Sequence, residues 1–196
     1  MKPALLAILV PLLFSILQLK TKKYIFSALI TGSCAIISVF CAPLLCAALA
    51  VAVLGDWFMA HKGSNQLMYA AGIGGFFCSH LLLYLYARTM IPEGAQLPAA
   101  AGAALLGCIV YLALRILPKT PRLLTVPVAA YTLISVLSLA AAIKTGSILY
   151  AAGVGSLLFS DIMIAENDFA GNKRVGFLIL PTYYLCHILI TLSAML

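Results

Sequence analysis

Charge is scarce in this chain of 196 residues, of which only 9% are charged and 64% are hydrophobic. The mean hydropathy is +1.14, and so little polar surface could not cover the core of a water-soluble protein. Carboxylates are the rarest charged groups, because the sequence contains only five. The composition therefore excludes a soluble globular domain and indicates an integral membrane protein.

Long hydrophobic runs follow one another along the sequence. A helix that crosses a membrane needs about 20 mostly apolar residues and satisfies its own backbone hydrogen bonds. We predict one integral membrane domain over 1–196, an all-α polytopic membrane helical bundle with eight transmembrane helices. The predicted spans are 3–19, 24–42, 43–60, 67–87, 98–117, 123–143, 147–165 and 175–195. Pro43 would begin a helix after a tight hairpin, since one helix over 24–60 would be too long for a bilayer.

Basic residues are distributed unequally between the two sides of the predicted bundle. Loops after odd-numbered spans would hold nine of the 12 Lys and Arg residues, and the other side would hold three. Because Lys and Arg gather on the cytoplasmic side of membranes, both termini are expected outside. Topology and lipid headgroups account for the net charge of +7, so membrane lipids and no nucleic acid are the expected partners.

The cysteines give little support for a disulfide framework or a metal centre. All six fall inside or beside predicted spans, and none forms a CxxC pair. This pattern favours small apolar packing residues. The sequence predicts no metal and no cofactor.

Two of the five carboxylates fall inside predicted spans. The segments LGDWFMAH and FSDIMIAE place Asp56 and Asp161 near the ends of odd-numbered spans. A charged acid at the centre of a span costs about 2.5–3.5 kcal/mol on insertion scales, so each needs a use or a partner. One possibility is that the two acids lie shallow enough to reach cytoplasmic water or pair with Lys62 and Lys173 or Arg174. The other is that they face each other across the bundle interior, one protonated and one ionised.

Similar motifs recur at similar spacing in the two halves of the chain. CSHLLL follows Asp56 and LCHILI follows Asp161, so that a histidine follows each aspartate, His80 by 24 residues and His187 by 26. Duplication into two parallel four-helix repeats would explain this spacing. Chance similarity between apolar segments is the alternative. The repeats would be 1–97 and 98–196.

Polar residues four apart share one face of a helix in three predicted spans. These pairs are His80 with Tyr84, Tyr131 with Ser135, and Tyr183 with His187. They would contact a substrate or form hydrogen bonds between helices. His80 would lie about 20 Å into its span and Asp56 only about 6 Å from the end of another. We therefore expect Tyr183 or Tyr184 to lie nearer the aspartates than either imidazole.

Several of these segments resemble the YhhN family, which comprises multi-spanning lysoplasmalogenases and bacterial relatives. The resemblance covers the chain from about residue 24, and FSDxxIAxxxF is its most specific element. His187 departs from the family pattern, in which a glutamine is usual. The segments that carry the resemblance are Gly55-Asp56, the run from Phe76 through His80 to Tyr84, LLFSDIMIAENDF at 157–169 and YYLCHILI at 183–190.

The resemblance implies a cofactor-independent enzyme in a bacterial inner (plasma) membrane. Its implied reaction is hydrolysis of the vinyl ether bond of a lysoplasmalogen, a 1-alkenyl lysophospholipid, to a fatty aldehyde and a glycerophospho-headgroup. Asp56 and Asp161 are the implied catalytic residues. The candidates for substrate binding are Tyr183, Tyr184, His80, Tyr84, Tyr131, Ser160 and His187. The two imidazoles are expected to line the alkenyl-chain channel, so that His80→Gln would raise KM more than it lowers kcat.

Two carboxyl groups suit this chemistry. A vinyl ether is cleaved when an acid protonates its terminal alkene carbon and water captures the resulting oxocarbenium ion, as in the acid–base logic of glycosidases. The alternatives are a proton-coupled transporter of a small molecule or lipid, a metal-dependent membrane lipid hydrolase using His80, His187 and an aspartate, and a non-catalytic membrane protein.

The distribution of basic residues makes a testable prediction about topology. Reporter fusions after Lys23, Lys62 and Arg174 should report the cytoplasm, whereas fusions after Lys144 and Leu196 should report the outer side. Opposite signals at both Arg174 and Leu196 would reverse the orientation.

Overall fold

The computed structural model describes residues 3–21 and 25–196. The predicted start of the second span at residue 24 lies outside these ranges. So do Lys2, Lys22 and Lys23, which are among the 12 basic residues counted for the topology.

The described residues form α-helices joined by short loops, with no strand among them. The helices are α1 (Pro3–Thr21), α2 (Ile25–Ser38), α3 (Pro43–Ala60), α4 (Gln66–Met90), α5 (Ala99–Tyr111), α6 (Arg122–Lys144), α7 (Ile148–Asp168) and α8 (Gly176–Ser193). A π-helical turn and a 3₁₀ turn extend α5 to Lys119. Pro43 occupies the first turn of α3 after a turn at 39–41, which confirms the predicted hairpin.

Six of these helices are long and apolar enough to cross a membrane. They are Pro43–Ala60, Gln66–Met90, Ala99–Lys119, Arg122–Lys144, Ile148–Asp168 and Lys173–Ser193. Shorter apolar stretches, Leu5–Thr21 and Ile25–Ser38, precede them. The architecture is thus an all-helical bundle in which six helices have the length and apolar composition of membrane spans, as expected for an integral membrane protein.

Extensive packing joins α3 to α4, α7 to α8 and α4 to α6. The largest buried apolar cluster draws on α2, α3, α4, α6, α7 and α8. At one end of the bundle Lys62 pairs with Asp168, so the C-terminal end of α7 lies beside the loop between α3 and α4. This end, which also carries Arg115 and Glu166, is called the polar end below.

Glycines set how closely α3 and α7 approach their neighbours. These two helices carry Asp56 and Asp161, which are called the membrane aspartates. A Cβ atom on Gly75 would lie 3.0 Å from both the Cα and the N atoms of Gly55, which precedes Asp56. A Cβ atom on Gly153 of α7 would lie 2.6 Å from Ile190 Cγ1 of α8. Small residues permit such close packing between helices in membranes. The position of Asp56 therefore depends on backbone contact between α3 and α4.

This contact predicts that Gly75→Ala lowers thermal stability in detergent. The added methyl group meets backbone rather than a movable side chain, and overpacking typically costs about 1–3 kcal/mol. Gly74→Ala is the matched control, because a Cβ atom there would meet nothing within 4 Å and alanine favours helix. Equal melting temperatures for the two variants would contradict the tight contact.

Candidate functional site

Asp56 and Asp161 line one cavity of about 220 Å³ in the bundle. Asp56 lies four residues before the end of α3, and Asp161 lies seven residues before the end of α7. At about 1.5 Å per residue, they are some 6 and 10 Å from the polar end. The other lining residues are mostly apolar and include Met59, Phe76 and Tyr183. Two acids from different helices therefore share an otherwise largely apolar cavity.

The carboxylate of Asp56 has neighbours on two other helices. Thr31 Oγ1 of α2 donates a hydrogen bond to Asp56 Oδ2 at 3.0 Å. The hydroxyl group of Tyr183 of α8 lies beside the same carboxylate in the cavity without a hydrogen-bond partner among the described residues. Thr31 is fully buried and Tyr183 nearly so. Asp56 thus has hydroxyl donors as its neighbours.

The carboxylate of Asp161 has a different environment. The Tyr131 hydroxyl group of α6 donates a hydrogen bond to Asp161 Oδ2 at 2.6 Å. His80 Nε2 of α4 lies 3.8 Å from the same oxygen. The His80 and Tyr131 rings pack edge to face with centroids 5.1 Å apart. Asp161 therefore faces both a hydroxyl donor and an imidazole nitrogen.

The depth argument from the sequence separated His80 from Asp56, and the structure brings His80 instead to within 3.8 Å of Asp161. His80 lies 14 residues after the start of α4, about 21 Å along the helix, against about 10 Å for Asp161. Helical side chains lean toward their own N-terminus. Since α4 runs away from the polar end and α7 runs toward it, the two side chains lean toward each other and meet.

The basic residues of the polar end are paired with other acids. Lys62 Nζ lies 2.5 Å from Asp168 Oδ2, and Arg115 Nε lies 3.1 Å from Glu166 Oε1. Tyr69 and Tyr111 donate further hydrogen bonds to these two acids. No ion pair joins either membrane aspartate to a Lys or Arg residue within 3–21 and 25–196. The predicted pairing of the aspartates with loop cations is therefore wrong for the described chain.

Three other candidate residues lie outside the cavity that holds the aspartates. The Tyr84 hydroxyl group accepts a hydrogen bond from Arg88 at 3.0 Å. Ser160 is buried and donates to the carbonyl oxygen of Ile179 at 3.1 Å, which ties α7 to α8. Tyr184 is buried with its hydroxyl group lacking a hydrogen bond. His80 faces Asp161. Tyr84 shares the same face of α4 but lies four residues further along the helix and contacts Arg88 instead.

His187 occupies a small cavity of about 10 Å³ with His80, Ser79 and Tyr183. Its ring packs edge to face on Tyr183, and both ring nitrogens lack a hydrogen-bond partner. Among the described residues, no group of three or more His, Cys, Asp or Glu side chains is arranged to hold a metal ion. His187 therefore contacts Tyr183 and does not line the cavity that holds the aspartates.

A second cavity of about 60 Å³ lies on the other side of Asp161. Its lining is apolar for the most part and comes from α4, α6, α7 and the π-helical turn after α5, with Ile73, Leu112 and Val128 as examples. Met59 and Phe76 line both this cavity and the larger one. An apolar chain could therefore lie beside Asp161 while a polar group occupies the larger cavity.

Sequence reasoning missed Thr31, Phe76 and Met59 as parts of the site. Thr31 lies 25 residues before Asp56 and shares one face of α2 with Ser27 and Ser38, so this polar stripe was a signal that the sequence did offer. Only the pairing of α2 with α3 could have placed it there. Phe76 stood within the run that resembles the family, but an apolar residue in an apolar span gives no separate signal.

Comparison with known proteins gives a match over almost the whole sequence. The model of the YhhN family matches residues 1–194. The chain belongs to the YhhN family. No curated protein and no solved structure gives a significant match. The family resemblance inferred from the two aspartate motifs is confirmed.

The bond from Thr31 to Asp56 predicts a measurable loss in stability for Thr31→Val. Valine has nearly the shape of threonine but leaves the buried carboxylate without this donor, which typically costs about 1–3 kcal/mol. Thr125→Val is the matched control, because Thr125 bonds only to the carbonyl oxygen of Pro121. Thermal unfolding of both variants in one detergent would measure the difference, and equal losses would contradict a specific role for Thr31.

Proposed function

We propose that this member of the YhhN family hydrolyses the vinyl ether bond of a lysoplasmalogen. The observation that carries the proposal is the shared cavity of Asp56 and Asp161, which belong to different helices. Their described neighbours are hydroxyl and imidazole groups rather than basic residues. Carboxyl groups without a salt-bridge partner are able to exchange protons with a bound molecule.

The proposed reaction needs one carboxylic acid and one carboxylate. The acid gives its proton to the terminal alkene carbon, and the electron pair of the double bond forms the new C–H bond. The resulting oxocarbenium ion is captured by water, which loses a proton to the carboxylate. The hemiacetal then collapses: its C–O bond to glycerol breaks, its hydroxyl group loses a proton and the glycerol oxygen takes one, so that an alcohol and an aldehyde leave and no net proton is used. Negative charge beside the cation lowers the barrier, as in glycosidases.

The two cavities match the two ends of such a substrate. The vinyl ether joins an apolar chain to a polar headgroup, so it belongs between an apolar cavity and a polar surface. The apolar cavity beside Asp161 would take the alkenyl chain. The larger cavity, about 6–10 Å from the polar end, would take the vinyl ether and water and leave the headgroup near that end.

The residues around the aspartates have proposed supporting roles. Tyr131, Tyr183 and His80 would bind and orient the catalytic carboxyl groups, and Tyr184 and His187 would pack behind them. Ser160 would hold α7 against α8, and Tyr84 would act with Arg88 at the far end of α4. None of these roles requires a metal or an organic cofactor.

The finer topology also belongs to this proposal. All eight helices would cross a bacterial inner membrane, with both termini outside, and the chain would consist of two parallel four-helix halves. The helix contacts support the repeat, because α4 packs on α6 as α8 packs on α2. Each aspartate also takes one partner from the other half, His80 for Asp161 and Tyr183 for Asp56.

The deciding experiment supplies purified protein with a lysoplasmenyl lipid or with the matched lysoacyl lipid. Aldehyde should form from the vinyl ether alone, because an ester offers no alkene carbon to protonate. Release of fatty acid from the lysoacyl lipid without any aldehyde would instead assign an esterase. Proton-coupled uptake into vesicles without turnover would assign a transporter.

Asp56→Asn and Asp161→Asn should each reduce turnover to less than about a tenth of the wild-type rate, a loss of more than about 1.4 kcal/mol of transition-state stabilisation. Asparagine keeps the shape of the side chain but removes the negative charge and the exchangeable proton. Asp168→Asn is the control, since Asp168 pairs with Lys62 at the polar end and lies outside the cavity. The measurement is aldehyde release per folded protein.

A membrane aspartate whose asparagine variant turns over as fast as Asp168→Asn would be neither the acid nor the base. Loss of activity in all three variants alike would point instead to general destabilisation of the bundle.

A further inference from the structure

One bond within α4 decides which nitrogen of His80 carries hydrogen. His80 Nδ1 lies 3.1 Å from the backbone carbonyl oxygen of Phe76. A carbonyl oxygen only accepts hydrogen bonds, so Nδ1 must be the donor. The Tyr131 hydroxyl group also lies 3.4 Å from Nδ1, but it gives its hydrogen to Asp161 at 2.6 Å and does not compete as a donor. In a neutral imidazole the other nitrogen, Nε2, then presents a lone pair. The helix itself therefore fixes the tautomer of His80.

That lone pair would point at Asp161. His80 Nε2 lies 3.8 Å from Asp161 Oδ2 and has no hydrogen-bond partner among the described residues. His80 is 1% exposed, so bulk water does not solvate the nitrogen. A neutral imidazole facing an ionised carboxylate would place two electron pairs against each other in an apolar interior. One proton between the two groups, on the carboxyl group or on Nε2, removes that conflict.

We propose that His80 and Asp161 hold one exchangeable proton between them, which makes Asp161 the acid and Asp56 the base of the reaction. The assignment of roles rests on the proposed function, whereas the shared proton is a property of the resting protein. His80 acts as a positioning residue, because it keeps the proton on or beside Asp161 without touching the substrate.

Asp56 has hydroxyl groups but no imidazole among its described neighbours. Thr31 donates a hydrogen bond to it, and the Tyr183 hydroxyl group lies beside it. Hydrogen bonds to the charged form favour that form. Asp56 is therefore suited to be the carboxylate that stabilises the oxocarbenium ion and takes a proton from water.

The surroundings of Asp161 also suit a group that must release its proton. Once the alkene carbon has taken the proton, Asp161 is a carboxylate that the Tyr131 hydroxyl group stabilises through the bond at 2.6 Å. His80 is then neutral. Asp56 has meanwhile gained one proton from water, so the proton count of the site is unchanged. Because both acids line one cavity, water there is able to return the proton to Asp161 before the next turnover.

Infrared and NMR spectra of the resting protein in nanodiscs at neutral pH test the shared proton without any substrate. The chain contains only three histidines, so ¹⁵N-histidine labelling gives a small set of signals that His61→Gln and His187→Gln variants assign. His80 should carry hydrogen on Nδ1. The spectra should also show where the shared proton lies. They should contain either a protonated carboxyl band that is lost in Asp161→Asn and kept in Asp56→Asn, or the signal of a doubly protonated His80.

An ionised Asp161 beside a neutral His80 would overturn the proposal, as would a protonated carboxyl band that disappears only with Asp56→Asn. His187→Gln is the matched control for His80→Gln, because His187 lies in the adjacent small cavity and contacts Tyr183 rather than Asp161. The protonation signature of the His80–Asp161 pair should survive His187→Gln and be lost in His80→Gln. If His80→Gln does not fold, the spectra of the labelled wild-type protein still decide the question.

Kinetics separate the roles of the two acids if the protein turns over vinyl ethers. A small anion such as azide captures an oxocarbenium ion without a general base and gives an α-azido ether in place of the aldehyde. Azide should therefore raise the rate of vinyl ether consumption at least tenfold in Asp56→Asn, with the azido ether as the product, and not in Asp161→Asn. His80→Gln should lower kcat at least tenfold with little change in KM, which replaces the sequence-based expectation of a KM effect. Azide rescue of Asp161→Asn instead would reverse the roles.

Discussion

The structure depends on how an apolar helical bundle accommodates two carboxyl groups away from its ends. Hydrocarbon offers no water to bind a charged acid, so each group needs a partner from the protein. Asp56 obtains the hydroxyl groups of Thr31 and Tyr183, and Asp161 obtains Tyr131 and His80. In both cases the partners come from helices other than the one that carries the acid. The acids therefore have their partners only when these helices pack together.

Close backbone packing supports these partnerships. Glycines at the contacts of α3 with α4 and of α7 with α8 let those helix pairs approach until a methyl group would clash. Each close pair holds one aspartate helix against the helix that carries a neighbour of the other aspartate, because α4 carries His80, which faces Asp161 of α7, and α8 carries Tyr183, which lies beside Asp56 of α3. A looser bundle would leave the same side chains without partners, at a cost typical of unsatisfied buried polar groups. The small residues thus contribute to the site although none of them touches its contents.

Most of the fold could be predicted from the sequence, because a bilayer restricts the chain to helices of a known length. Hydropathy located a predicted span over every helix, and Pro43 marked the start of α3. The site was only partly predictable. Spacing and motif singled out Asp56 and Asp161 as candidates, but depth measured along helix axes did not indicate that His80 lies beside Asp161. Axial position ignores the lean of side chains toward the N-terminus, which acts in opposite directions on antiparallel helices. Thr31 shares a polar face of α2 with Ser27 and Ser38, but that stripe does not tell which acid it faces, because this depends on which helices pack together.

The charged groups of the protein fall into two populations with different chemical capacity. At the polar end, Lys62 with Asp168 and Arg115 with Glu166 form ion pairs that further hydrogen bonds support. A carboxylate that pairs with a cation stays ionised, so it has no proton to give to a substrate. Inside the bundle, the described partners of Asp56 and Asp161 are neutral hydroxyl groups and an imidazole, which leave a proton free to move. Placing the cations at the polar end keeps them from fixing the charge of the membrane aspartates, and this separation makes acid–base chemistry at the cavity possible.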